Sequence, residues 1–221
     1  MDLEAVSRLL SLTSHELRSP LGVIRGYLKF LEQQHQGLSD QQRQVIASSL
    51  KATDRMVEIL GEVSALAHLQ RTETPIDTKP TTLEALADAV IDDLSRDGAS
   101  ALRRGTLPDG QVLADLALLP PALATLAAAV SAARPREAGL TISAHLESVD
   151  PAPLVRIDIA GTSVMRTSLI ETPLNLLRGG LGLRLPLAAA VIDVHGGRVK
   201  ELRESGRLAG MAAWLPMAST R

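Results

Sequence analysis

The stretch Ser14-His15-Glu16-Leu17-Arg18-Ser19-Pro20 concentrates groups that could do chemistry. Neutral imidazole is a good nucleophile near pH 7. A carboxylate beside it can accept its other ring proton, so that attack on a phosphoryl group builds no extra charge. On a helix Ser19 falls one turn beyond His15 on the same face and Glu16 lies next to it, which puts an imidazole, a carboxylate and a hydroxyl on one patch. Pro20 cannot donate to the carbonyl of Glu16 and is expected to bend the helix there. Taken singly, an exposed helix histidine is usually only a solvated side chain. The combination of residues here suits phosphoryl transfer through nitrogen, with His15 attacking and Glu16 assisting.

These residues need a helix to carry them. Leu3, Val6, Leu10, Thr13, Leu17, Leu21, Ile24, Leu28 and Leu31 recur at steps of three and four, a coiled-coil seam rather than a strand pattern. His15 falls roughly 160° from that seam and is expected to face solvent. The helix should break near Gly37. Ser39 then offers an N-cap with Gln42 at capping-box spacing, and Leu38 is placed as a hydrophobic staple. The second helix carries two adjacent stripes. One is Val45, Ser49, Ala52, Met56, Ile59, Val63 and Leu66; the other is Ile46, Leu50, Thr53, Val57, Leu60 and Ala67. One hairpin cannot cover so wide a face, so dimerisation into a four-helix bundle is expected.

Residues 71–80 shift to Thr, Pro, Asp and Lys and read as a linker. Beyond it, residues 82–95 have helical spacing, 115–133 are rich in Ala and Leu, 139–147 and 153–159 alternate as strands, 181–194 are helical, and 198–203 with 208–215 resemble a closing hairpin. The division expected is a helical hairpin over 1–70, a linker over 71–80 and an α/β sandwich over 81–221, an α+β fold overall.

Composition narrows the function. The chain has 221 residues and a mass of 23.4 kDa, enough for one large or two small domains. Its 23 basic and 25 acidic residues give a net charge of −2, so no positive field is available to hold nucleic acid or an anionic membrane. Tyr27, Phe30 and Trp214 are the only aromatic residues, too few for a stacking platform. The absence of cysteine excludes disulfide scaffolds, thiol catalysis and thiolate metal sites. The acidic start lacks the order of a secretory signal, and the most apolar run, residues 116–130, is shorter than the roughly 20 residues of a bilayer span. A cytoplasmic, soluble chain without membrane insertion is expected.

Other polar residues read as structural. His35 and His68 lie near helix ends; His145 and His195 lack carboxylates at ligand spacing, so no metal site is expected, and His195 belongs in a turn. Asp92 and Asp93 fit a solvated helix face, Asp158 an outward strand position, and Trp214 the core or a domain contact.

His15-Glu16-Leu17-Arg18-Ser19-Pro20, followed by Leu21 and a helical hairpin, resembles the H-box of the dimerisation and histidine-phosphotransfer domain of bacterial two-component sensor histidine kinases. The resemblance implies that His15 is phosphorylated, that Glu16 is the general base, and that Ser19, where the family commonly has Thr or Asn, helps position water for dephosphorylating a partner. The later part is similar in order to the family's ATP-binding domain: Gly179-Gly180-Leu181-Gly182-Leu183 resembles its second glycine box, with Gly180 and Gly182 as remnants, followed by His195-Gly196-Gly197-Arg198-Val199. Glycines at a helix start can present N–H groups to phosphate, and can equally serve tight packing.

Much of that nucleotide site is missing. The family's asparagine-bearing helix, whose Asn holds magnesium, should fall within residues 115–135, which contain no Asn and no Lys. The box whose Asp accepts from adenine should follow residues 155–159, where the chain reads Ala160-Gly161-Thr162-Ser163. No Phe of a nucleotide lid lies between Gly161 and Arg178, and Arg178 takes a glycine's place. Each lost partner of a buried ligand group costs about 1–3 kcal/mol, so two or three losses remove roughly two to five orders of magnitude in affinity.

The expectation is therefore a dimeric phosphorelay protein that needs no nucleotide. His15 carries a phosphoryl group between the aspartates of response-regulator receiver domains, which bring their own magnesium, while the degenerate domain serves as a docking surface. Because the hairpin begins at the first residues, a stand-alone relay is expected. Two other readings stand beside it: an ATP-dependent autokinase with a divergent site built on Arg178 or Arg184, and a non-catalytic scaffold that binds response regulators.

Overall fold

The computed structural model describes residues 3–34, 37–69, 76–96, 102–134, 139–148, 153–161, 169–176 and 182–218. His35, Gly180 and Arg178 lie outside them. The chain divides into two compact units, Met1–Thr74 and Pro75–Arg221.

The first unit is a hairpin of two long helices, α1 (Leu3–Gln33) and α2 (Asp40–Leu69). Gly37 reverses the chain at φ 98°, a left-handed conformation that costs glycine little. The capping box then closes in both directions: the Ser39 amide donates to Gln42 Oε1 at 2.8 Å, and the Gln42 amide donates to Ser39 Oγ at 3.2 Å. An Arg25–Asp54 ion pair at 2.6 Å ties α1 to α2.

The second unit is an α+β sandwich. β1 (Lys79–Thr82) pairs antiparallel with β3 (Gln111–Ala114) in a small sheet. Lys79 and Pro80, read as the end of the linker, thus belong to a strand. The large sheet has the order β2-β4-β5-β8-β7-β6, formed by β2 (Leu102–Arg104), β4 (Leu140–Glu147), β5 (Leu154–Gly161), β6 (Ile170–Pro173), β7 (Arg198–Glu204) and β8 (Arg207–Pro216). Only the β2–β4 pair is parallel. Helices α3 (Leu83–Arg96), α4 (Leu119–Ala133) and α5 (Arg184–Val194) pack side by side, with α4 in the middle and against β5 and β8.

Strand alternation decides what each face holds. Val155, Ile157 and Ile159 lie opposite Leu215, Ala213 and Met211, and all six are buried. On the other face Arg156 lies opposite Trp214, which lies opposite Arg198. Trp214 is buried in a small cluster with Leu202 and Ala212, and Arg156, Arg198 and Lys200 sit 5.1–5.4 Å from its ring centroid. Its indole N–H donates to Glu147 at 2.9 Å.

Candidate phosphoryl-transfer site

α1 runs unbroken through Pro20. Ser14 is fully buried, whereas His15, Glu16 and Ser19 are exposed. Successive residues turn by about 100°, so burying Ser14 aims His15 at solvent. The three candidate residues share one accessible strip. Among the described residues, no hydrogen bond or ion pair joins His15, Glu16 or Ser19 to another group.

The hairpin covers only one of the two stripes on α2. Ile46, Leu50 and Thr53 are buried, while Val45, Ala52, Met56 and Ile59 are exposed. On α1, Leu10, Leu17, Ile24 and Leu31 recur every seven residues and are likewise exposed. A further exposed row of Leu9, Leu12, Val23, Tyr27 and Phe30 runs on a different side of α1. Residues Gly22 and Gly26 lie between His15 and the end of α1, and an added Cβ at either meets nothing within 4 Å.

In the second unit, the helix where a magnesium-binding Asn was sought is α4. Leu119, Ala122, Leu123, Ala124, Leu126, Ala127, Ala129 and Val130 are all buried, and its one mid-helix hydroxyl, Thr125 Oγ1, donates back to the Pro121 carbonyl at 2.9 Å. A helix apolar on nearly every side is one enclosed by its own domain. β5 continues past the fully buried Ile159 and ends on Ala160 and Gly161.

The glycines after α5 have structural work. Gly196 (φ 73°) closes the helix C-terminus, with its amide donating to the Asp193 carbonyl at 2.8 Å. A Cβ on Gly197 would lie 2.4 Å from the Trp214 carbonyl oxygen. Of the glycine-box remnants, Gly182 is described, exposed and at φ 58°.

Three residues read as isolated turn out to be engaged. His195 is buried at the end of α5; its Nδ1–H donates to the Val191 carbonyl at 2.7 Å, and its Nε2 accepts from the Asp115 amide at 3.1 Å, 80 residues away. Asp115 in turn accepts from the Asp77 amide, so one carboxylate and one imidazole tie the start of α4 to α5 and to the segment before β1. Asp158 keeps its outward strand position, on the face of Arg156 and Trp214, but is buried there, 2.7 Å from Arg156 and 3.7 Å from His145, which gives His145 the carboxylate neighbour that sequence spacing did not reveal. Burial alone would lower the Arg156 pKa, but hydrogen bonding to Asp158 and the charges of Asp158, Glu171 and Glu147 outweigh it and raise the pKa.

Comparison with known proteins places this geometry. Residues 5–72 match the His Kinase A (phospho-acceptor) domain family. The phosphate regulon sensor protein PhoR of Pseudomonas aeruginosa is 34% identical over 92 residues, covering 42% of this chain and 20% of that protein. The chain therefore spans about a fifth of the length of this curated relative. Two solved structures share the fold: full-length ShkA in complex with AMPPNP, at TM-score 0.63 and 21% identity over 96% of this chain and 46% of that one, and the Acinetobacter baumannii histidine kinase AdeS, at TM-score 0.51 and 17% identity over 93% and 98%. The first unit thus matches a phospho-acceptor domain, and the chain as a whole is similar in fold to two-component sensor histidine kinase cores.

Proposed function

We propose that the protein is a phosphorelay carrier that works without ATP. One ring nitrogen of His15 attacks the phosphorus of a receiver's aspartyl phosphate; the N–P bond forms as the P–O bond breaks, and the electron pair returns to the receiver carboxylate. The other ring proton passes toward Glu16, so the phosphorylated ring gains no net positive charge. The reverse sequence hands the group to the aspartate of a second receiver. Ser19, one turn on, stands where it can hold water.

The observation that carries the nucleotide-free part of this reading is α4. Where magnesium–ATP would need an amide or carboxylate, the helix offers buried Ala, Leu and Val. With Ala160 and Gly161 ending β5 where an acidic acceptor for adenine is expected, the described residues do not fit the nucleotide. No step is routed through it. The exposed stripes on both helices support assembly of two chains into a four-helix bundle, which would leave His15 on its outside.

The test is transfer of labelled phosphate from a phosphorylated receiver. Wild type should take the label, and His15→Ala should take none while still binding the receiver. Retained binding with no label on wild-type His15 would mean a scaffold. The likeness of fold to ShkA, solved in complex with AMPPNP, makes an autokinase the second reading. Label appearing on His15 from magnesium–ATP alone would establish it.

A further inference from the structure

We propose that residues 169–176 form a strap fixed across the open edge of the large sheet, so that this part of the chain, read from the sequence as nucleotide-lid territory, is permanent structure and does not open and close. The inference rests on the nucleotide-free reading of this unit but fails separately from it.

Four independent anchors hold the strap. Ile170–Pro173 pairs antiparallel with β7 in a register that sets Glu171 opposite Leu202 and Pro173 opposite Lys200. On the outer face Leu169 packs on the Leu202–Ala212–Trp214 cluster. On the same face the Glu171 carboxylate accepts from Arg156 Nη1 at 2.7 Å and from Lys200 Nζ at 3.0 Å, bridging β5 and β7. Those two cations also flank the Trp214 ring.

The fourth anchor is on the opposite face. Glu201, with no solvent exposure, accepts from Arg203 Nε and Nη2 at 3.0 and 2.7 Å through Oε2, and from the Asn175 amide at 3.1 Å through Oε1. Lifting the strap removes the Asn175 donor from a buried carboxylate and strips Leu169 from the cluster. Such a carboxylate is costly to leave short of partners. A segment that must open on each cycle is drawn from the weakly held parts of a fold. This one is gripped from both sides.

The chain contains no cysteine, so an engineered pair gives a clean lock. Pro173→Cys/Lys200→Cys places thiols directly opposite in register. In wild type, those amides of residues 170–172 that point at β7 should exchange with solvent deuterium as slowly as those of β7, and the locked protein should pass phosphate between receivers as fast oxidised as reduced. Exchange of these inward amides at the rate of unprotected peptide would overturn the strap, as would transfer that is lost on oxidation and restored on reduction. Glu171→Gln should speed exchange across 170–172 without unfolding the unit, and unchanged exchange would refute the clamp. A third arm adds magnesium–ATP. Label on His15 in oxidised and reduced protein alike would retire the nucleotide-free reading and leave the strap standing; label that disappears only on oxidation would overturn both.

Discussion

At the scale of single residues, the exposed strip that carries His15 was legible because it is local: an imidazole, a carboxylate, a hydroxyl and a proline fall within six positions of one helix. Glu16→Ala should slow labelling of His15 by roughly 10²–10⁴, the usual worth of general base assistance, with receiver affinity little changed; rapid-quench transfer and a binding titration check the two halves. The polar contacts of the second unit were not legible, because their partners are distant in sequence. His195 meets Asp115 across 80 residues and Glu201 meets Asn175 across 26. His195→Phe leaves the Asp115 amide without its acceptor, while the Val191 carbonyl keeps the backbone amide of residue 195 as donor, and should cost about 1–3 kcal/mol in urea unfolding. Glu171 sets a pH dependence. Burial would raise its pKa, but the Lys200 hydrogen bond and the Arg156 charge outweigh that and hold the carboxyl below the usual carboxylate range. A carboxyl with a lowered folded-state pKa stabilises above its ordinary value and loses that contribution as pH falls through the lowered one. Exchange at residues 170–172 should therefore accelerate as solution pH is taken below the ordinary carboxylate range, once corrected for intrinsic rates, and Glu171→Gln should flatten that acceleration.

At the scale of elements, the long helices and long strands followed from periodicity, while β1, β2, β3 and β6 did not. Three or four residues show too little alternation to read, and the Pro in Ile170–Pro173 argues against a strand until its position at a sheet edge is known. The seam on α1 was read correctly as helical, yet it was one stripe doing two jobs. Its Leu21 and Leu28 are partly covered in the hairpin, whereas Leu10, Leu17, Ile24 and Leu31 are exposed. Ser7 and Ser14, which no hydropathy pattern marks, are buried one heptad apart on the inner face. Gly22 and Gly26 weaken a helix that has room for side chains at both places. Gly22→Ala and Gly26→Ala should each stabilise the hairpin by about 1 kcal/mol in thermal or denaturant melts. Should transfer slow in these same variants, the bare strip beneath His15 is where a receiver approaches.

At the scale of the whole molecule, the chain divides into two units, and the single tryptophan reports on only one of them. Ile24→Glu places a charge in the exposed heptad row of α1. In sedimentation it should shift the protein from two chains to one, while Trp214 fluorescence, which lies in the other unit, stays native. The sandwich was legible as a class, since strands and helices follow one another without strict alternation. The lack of an Asn in residues 115–135 was legible in the sequence, and the structure adds that α4 is buried along most of its length. Placing one amide or carboxylate at Ala124 or Ala127 would strand a polar group in a dry interior and destabilise the unit, so this helix tolerates no polar side chain at either position without repacking around it.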